Sequence, residues 1–212
     1  MTKTKQKGLF ITMEGPEGSG KSTHAKLLKQ YIETKNFDVV LTREPGGTDV
    51  GKFIRNILLK EDVTLEKKAE LLLFGADRVE HVTRVVKPAL DQGKIVICDR
   101  YVDSTTAYQI GGRNLAEDTV KFINSISSDA IIPDLTIVLD VPVEIGLKRV
   151  KGGPRDRFER EEKPFHERVR RKFLEIAKEE PGRVKIIESC DTIDSVQEKI
   201  RGIVKPYLEK IK

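Results

Sequence analysis

The segment Gly15-Pro16-Glu17-Gly18-Ser19-Gly20-Lys21-Ser22 matches the phosphate-binding pattern G-x-x-x-x-G-K-[ST] without a mismatch, with Thr23 directly after it. Glycines at those spacings let consecutive backbone N–H groups and a helix N-terminus point into one cavity, which suits a polyphosphate. In such a loop Lys21 reaches the β and γ phosphates and the Ser22 hydroxyl ligates Mg²⁺. A second candidate is Asp99, which ends the apolar run Ile95-Val96-Ile97-Cys98. A carboxylate there can hold the same Mg²⁺, and Arg100 follows at the fraying end of the strand where both can line one cleft. Arg43, within Thr42-Arg43-Glu44-Pro45-Gly46-Gly47-Thr48, overhangs that cleft from another strand end. On a helix further along, Phe74, Arg78 and His81 share a face, and a ring beside a guanidinium can stack a planar base and bond to its edge. His81, four residues after Asp77, reads as a helix-surface partner and is given no chemistry.

These residues need a scaffold that ends several strands side by side. Strand patterns recur at Leu9 to Glu14, Val39 to Arg43, Ile95 to Asp99, Leu135 to Val141 and Val184 to Glu188, with helical spacing between them. That alternation predicts an α/β fold: a five-stranded parallel sheet flanked by helices on both faces, in three layers. Ligands of such sheets bind in the loops beyond the strand C-termini. Residues 1–212 are read as a single domain, since nothing in the composition divides them. The polar segment 151–163 joins two helices and is read as a lid, with a solvated turn as the alternative.

The chain is 38% hydrophobic and 34% charged, which excludes wholesale disorder. Its net charge of +5 is small beside 39 basic and 34 acidic residues, and the two signs alternate along most helices. That interleaving argues against a nucleic-acid partner. The local exception, Arg155 to Arg160 with Arg168, Arg170 and Arg171, suits a small polyanion such as ATP. The apolar runs are strand-sized, so no membrane span is expected, and Cys98 and Cys190 are too few for a disulfide framework. A cytoplasmic protein with free thiols is the expectation. GTP switch proteins also carry D-x-x-G and N-K-x-D elements, and neither occurs.

Taken in order, Gly15 to Thr23, Thr42 to Thr48, Phe74-Gly75-Ala76-Asp77-Arg78-Val79-Glu80-His81 and Asp99 to Gln109 resemble the thymidylate kinases over nearly the full length. Pro133 to Asp140 and Asp156-Arg157-Phe158-Glu159 are similar to the family as well. The resemblance implies the P-loop fold, ATP as donor with Mg²⁺, dTMP as acceptor, a role in dTTP synthesis and a homodimer. It implies that Glu17 meets the sugar 3′-hydroxyl side, Phe74 stacks on thymine, Arg78 bonds to the base, and Thr105 and Gln109 line the pocket. Tyr108 would fill the space a ribose 2′-hydroxyl needs, Arg43 and Arg100 would hold the acceptor phosphate, and adenine would rest against Ser189 to Ile193. Some members carry an Arg after the loop acid where this chain has Gly18. The transition-state arginine is therefore expected from the lid, as Arg155 or Arg157 with Arg149 and Lys151 behind them. Other nucleoside monophosphate kinases, acting on dUMP or AMP, are the rival reading.

Overall fold

A computed structural model of the protein describes residues 8–150 and 156–211. Five strands, β1 (Leu9–Glu14), β2 (Val39–Arg43), β3 (Ile95–Asp99), β4 (Leu135–Asp140) and β5 (Val184–Glu188), form one sheet in the order β2-β3-β1-β4-β5. Every pairing is parallel. The expected strands are therefore present, β4 stopping one residue earlier at Asp140.

Alternation along the central strands sorts the core into two layers. Leu9, Ile11 and Met13 of β1, with Ile95, Ile97, Leu135, Ile137 and Leu139, pack on α1 (Lys21–Glu33) and on α9 (Ile193–Lys210). Phe10, Val96 and Cys98 point the other way, onto Val82, Val86 and Tyr101. Val138 meets Val169 and Phe173 of α8 (Lys163–Glu179) on that same side. Burying an apolar side chain contributes about 1.5–3 kcal/mol, so these two faces fix the strand register.

Between β2 and β3 run α2 (Asp49–Leu59), α3 (Lys67–His81), a π-helical turn over Val82–Val86 and α4 (Lys87–Asp91). Thr48 caps α2, its hydroxyl accepting from Gly51 N at 2.9 Å. After β3 come α5 (Val102–Thr105), a second π-helical turn over Thr106–Gly112, and α6 (Glu117–Ser127); α7 (Val143–Val150) follows β4. Among the described residues no helix is long and apolar enough to cross a membrane.

The register matters for the site. Met13 pairs with Asp99, and Asp99 pairs with Arg43, so β1, β2 and β3 end level with one another. The phosphate loop, Asp99 and Arg43 are delivered to one rim.

Candidate active site

The loop after β1 takes its shape from backbone that only glycine adopts cheaply. Gly15, Gly18 and Gly20 have φ of 136°, 68° and 90°. A Cβ on Gly15 would lie 2.3 Å from Leu139 O, and one on Gly18 would lie 2.1 Å from the carbonyl oxygen of Gly146 in α7. Gly20 then caps α1, and the unpaired N–H groups of the first turn face the loop. Lys21 is folded into it, its Nζ donating to Pro16 O at 2.7 Å and to Ser19 Oγ at 3.2 Å. Burial, with Arg100 nearby, lowers its pKa from the ordinary 10.5 to about 8. The Ser22 hydroxyl donates to an Asp99 carboxylate oxygen, so the two expected metal ligands meet.

A cavity of about 340 Å³ opens over this rim. Glu17, Gly18, Gly20, Lys21, Ser22, Thr23, Arg43, Asp99 and Arg100 line it. Phe74, Arg78, Thr105, Tyr108 and Gln109 line it as well, so residues far apart in sequence come together. Gly15, Pro16 and Ser19 are buried behind the lining and support it.

Arg100 holds a left-handed φ of 72°. Its Nη2 donates to Glu17 Oε1 at 2.8 Å, its Nη1 lies 3.3 Å from both Gly15 O and Ser104 Oγ, and its guanidinium stacks 5.0 Å from the Tyr108 ring. The Tyr108 hydroxyl donates to the same Glu17 oxygen at 2.7 Å. Burial alone would raise the Glu17 pKa, but Arg100 and Lys21 outweigh it and hold the carboxyl at about 2.

Arg78 is only 1% exposed, a hub more than a probe. It donates to Glu44 at 2.8 Å, to Asn124 Oδ1 at 2.9 Å and to Thr105 Oγ1 at 2.8 Å. Gln109 lines the cavity with its Oε1 buried and unpartnered, while its Nε2 donates to Glu70.

Several expectations change. His81 is not a surface residue: it is fully buried, its Nδ1 lies 2.8 Å from Glu44 Oε1 and its Nε2 lies 2.7 Å from Thr42 Oγ1. Two polar partners on one rim stabilise a buried imidazole that helical spacing alone would leave outside. Arg157 does not reach the phosphate end. Its Nη1 sits 2.6 Å from Glu70, and its Nε and Nη2 donate to Leu58 O at 3.1 and 3.0 Å. Three arginines of the basic cluster are committed to protein partners: Arg160 pairs with Glu61, Arg168 bonds to the carbonyls of Gly111 and Gly112, and Arg170 is bidentate on Asp140. Arg155 and Lys151 lie outside the described residues.

Sequence reasoning passed over two buried acids, and it placed Arg149 only behind the lid arginines. Glu14 accepts from Tyr101 N at 2.7 Å and from the Ser104 hydroxyl, so it braces the chain that follows Arg100. Burial, then Asp103, raises its pKa to about 7. An acid closing an apolar strand was the available signal, since a buried charge needs a reason. Glu70 offered another, lying four residues before Phe74 on one helix face. Arg149 bridges Gly18 O at 3.3 Å to Ser189 O at 3.0 Å, joining the phosphate loop to the loop after β5.

Residues 13–200 match the family model described as thymidylate kinase. The chain is 46% identical over 208 residues to a thymidylate kinase of Halothermothrix orenii, covering 96% of this chain and 100% of that one. It is 45% identical over 208 residues to a thymidylate kinase of Leuconostoc mesenteroides, covering 96% and 98%. Among solved structures, the thymidylate kinase of Ehrlichia chaffeensis superposes with a TM-score of 0.78 at 37% identity, covering 94% of this chain and 99% of that one.

Proposed function

The chain belongs to the thymidylate kinase family, and from that premise we propose that it transfers the γ-phosphoryl group of ATP to dTMP, giving dTDP and ADP. The carrying observation is the lining of the cavity. Cationic groups (Lys21, Arg43, Arg100) line the same cavity as an aromatic ring with hydrogen-bonding side chains (Phe74, Arg78, Gln109). A nucleoside monophosphate has the matching parts, an anion on a sugar and a planar base.

The chemistry follows from charge. The attacking phosphate oxygen of the acceptor is already anionic, so no general base is needed; the barrier is the approach of two anions. Lys21 and the backbone N–H groups before α1 cradle the donor phosphates. Arg43 and Arg100 hold the acceptor phosphate, and Arg100 is aimed in advance by Glu17, Tyr108 and Ser104, so little reorganisation accompanies reaction. Phe74 stacks on the base, beside Arg78 and Thr105, which are fixed by their mutual hydrogen bond, and beside Gln109 on the cavity lining. Glu17 and Tyr108, bonded to each other, face the sugar.

A Ser22 hydroxyl meeting an Asp99 carboxylate is a hard-oxygen donor pair that fits Mg²⁺, which takes few protein ligands and completes its shell with water and phosphate. Bound there, the ion would neutralise charge on the β and γ oxygens. Residues 1–212 are read as one kinase domain acting in the cytoplasm, with segment 151–163 as its lid and Arg155 the transition-state candidate.

A homodimer fits an apolar face on three neighbouring helices. α3 packs between α2 and α6, and Phe53, Leu72, Phe122 and Ile126 are 74%, 56%, 66% and 58% exposed. A patch of that kind on a monomer marks an interface. Sedimentation of the wild type should give about twice the monomer mass, and Phe53→Glu should shift it toward the monomer.

The test of the reaction is ADP release from ATP and Mg²⁺ with dTMP, dUMP, ribothymidine monophosphate or AMP as acceptor. A strong preference for dTMP supports the assignment, while preference for another monophosphate keeps the chemistry and rejects the base slot.

A further inference from the structure

We propose that Glu70 is a positioning residue that holds Phe158 as a closing wall of the acceptor-base slot. The inference rests on the kinase reading above and concerns how its pocket is kept shut on the base side.

Phe158 lies in the stretch after segment 151–155 and lines the cavity, yet is only 4% exposed. Its ring centroid is 6.0 Å from that of Phe74 and 5.7 Å from that of Tyr108, so three rings bound the slot. No regular element carries Phe158: it sits in a turn between α7 and α8. The Asp156 carboxylate takes its backbone N–H at 2.9 Å, and the ring needs a support of its own.

That support runs through two guanidinium groups. Arg113 stacks 5.3 Å from the Phe158 ring and Arg157 stacks 4.9 Å from it. Both end on Glu70, which is 1% exposed. Arg113 is bidentate, Nε to Oε1 at 2.9 Å and Nη2 to Oε2 at 3.1 Å; Arg157 Nη1 reaches Oε2 at 2.6 Å, and Gln109 Nε2 reaches Oε1 at 2.7 Å. The remaining Arg157 donors close on Leu58 O at the end of α2, and Arg113 also pairs with Glu161. One carboxylate thus gathers α3, the second π-helical turn and the Phe158 segment. It also sets the amide of Gln109, whose bare Oε1 faces no protein donor.

A glutamine at position 70 has one oxygen where four donors converge, so its own N–H₂ must face another donor, and one positive charge is left uncompensated. Phe158 then loses its support and the base loses a wall. By this account Arg157 acts through Phe158 and not on the transferring phosphoryl group.

The experiment is steady-state kinetics with each substrate varied for wild type, Glu70→Gln, Phe158→Leu and the double variant. Both single variants should raise KM for dTMP about five- to tenfold, the scale of one lost aromatic contact. Values of kcat should stay within about threefold and KM for ATP should be unchanged, a split that general loosening of the fold would not give. The double variant should fall well short of the product of the single effects, because both remove the Phe158 contact and only the Gln109 amide is left for Glu70→Gln to disturb. An unmoved dTMP KM in Phe158→Leu, or single effects that multiply in the double variant, overturns the inference. Should Glu70→Gln not fold, Arg157→Met takes its place: a raised dTMP KM supports the inference, and a kcat reduced about a hundredfold at constant KM overturns it by making Arg157 a phosphoryl-contacting residue. A wild type that does not phosphorylate dTMP refutes the kinase reading itself, a separate outcome.

Discussion

Arg100 Nη2 and Glu17 Oε1 stand 2.8 Å apart, an ion pair formed across the mouth of the phosphate loop between the ends of β3 and β1. A guanidinium so close to an acid is already desolvated and oriented before an acceptor phosphate arrives. Its left-handed backbone is sustained by Glu14, which takes the Tyr101 N–H beside it.

Arg100→Lys is therefore expected to lower kcat/KM for dTMP by about a hundredfold, since an ammonium cannot serve Glu17, Gly15 and a phosphate through one planar fork. Thermal stability measured in parallel should change little. Near-normal kcat/KM would remove Arg100 from the reaction.

Asp99→Asn should raise the Mg²⁺ concentration for half-maximal activity by about tenfold or more, because the pair with Ser22 loses its anionic member. Titrating activity with Mg²⁺ at saturating nucleotides checks this. An unchanged midpoint would place the ion on other ligands.

The pH profile carries a signature of Lys21. Its pKa is lowered to about 8, so in the free enzyme the charge is present below that pH and lost as pH rises through it. kcat/KM for ATP should fall above about pH 8, whereas kcat should persist to higher pH, because bound polyphosphate favours the protonated amine. Glu17, held at about 2, contributes no acid limb near neutrality. A kcat/KM for ATP that stays flat through pH 9 would contradict the burial argument.

Gly18→Ala meets two obstacles, a φ of 68° and the Gly146 carbonyl 2.1 Å from the new Cβ. Together they should cost more than about 2 kcal/mol and abolish ATP binding. Gly182→Ala, where a Cβ meets nothing within 4 Å, is the control. Calorimetry of both variants, with and without ADP, decides the matter.

The strands and the phosphate loop were legible because their signals are local: short apolar runs buried on both faces and glycines at fixed spacing. Asp99 was legible for the same reason, as a charge ending an apolar run. The partners of those residues were not. The contact of His81 with Glu44 spans 37 residues, that of Arg113 with Glu70 spans 43, and that of Arg157 with Leu58 spans 99. Nothing in the helical spacing of His81 announces Thr42 across the rim. Arg157 looked free in a segment dense in arginine, and only the fold brings Glu70 beneath it. The π-helical turn at Thr106–Gly112, which carries Tyr108 and Gln109, has no period that sequence patterning detects.

The strand order has a further consequence. Arg43, Asp99 and Arg100 come from β2 and β3 on one side of β1, whereas Ser189 and Asp140 come from β5 and β4 on the other. With β1 as the seam, Arg43 reaches the rim from one half of the sheet, and the Arg149 bridge from Gly18 to Ser189 ties the phosphate loop to the other. Substitution at Arg43, which stands apart from that bridge, should therefore change how the acceptor is held while the tie between the phosphate loop and the loop after β5 stays in place.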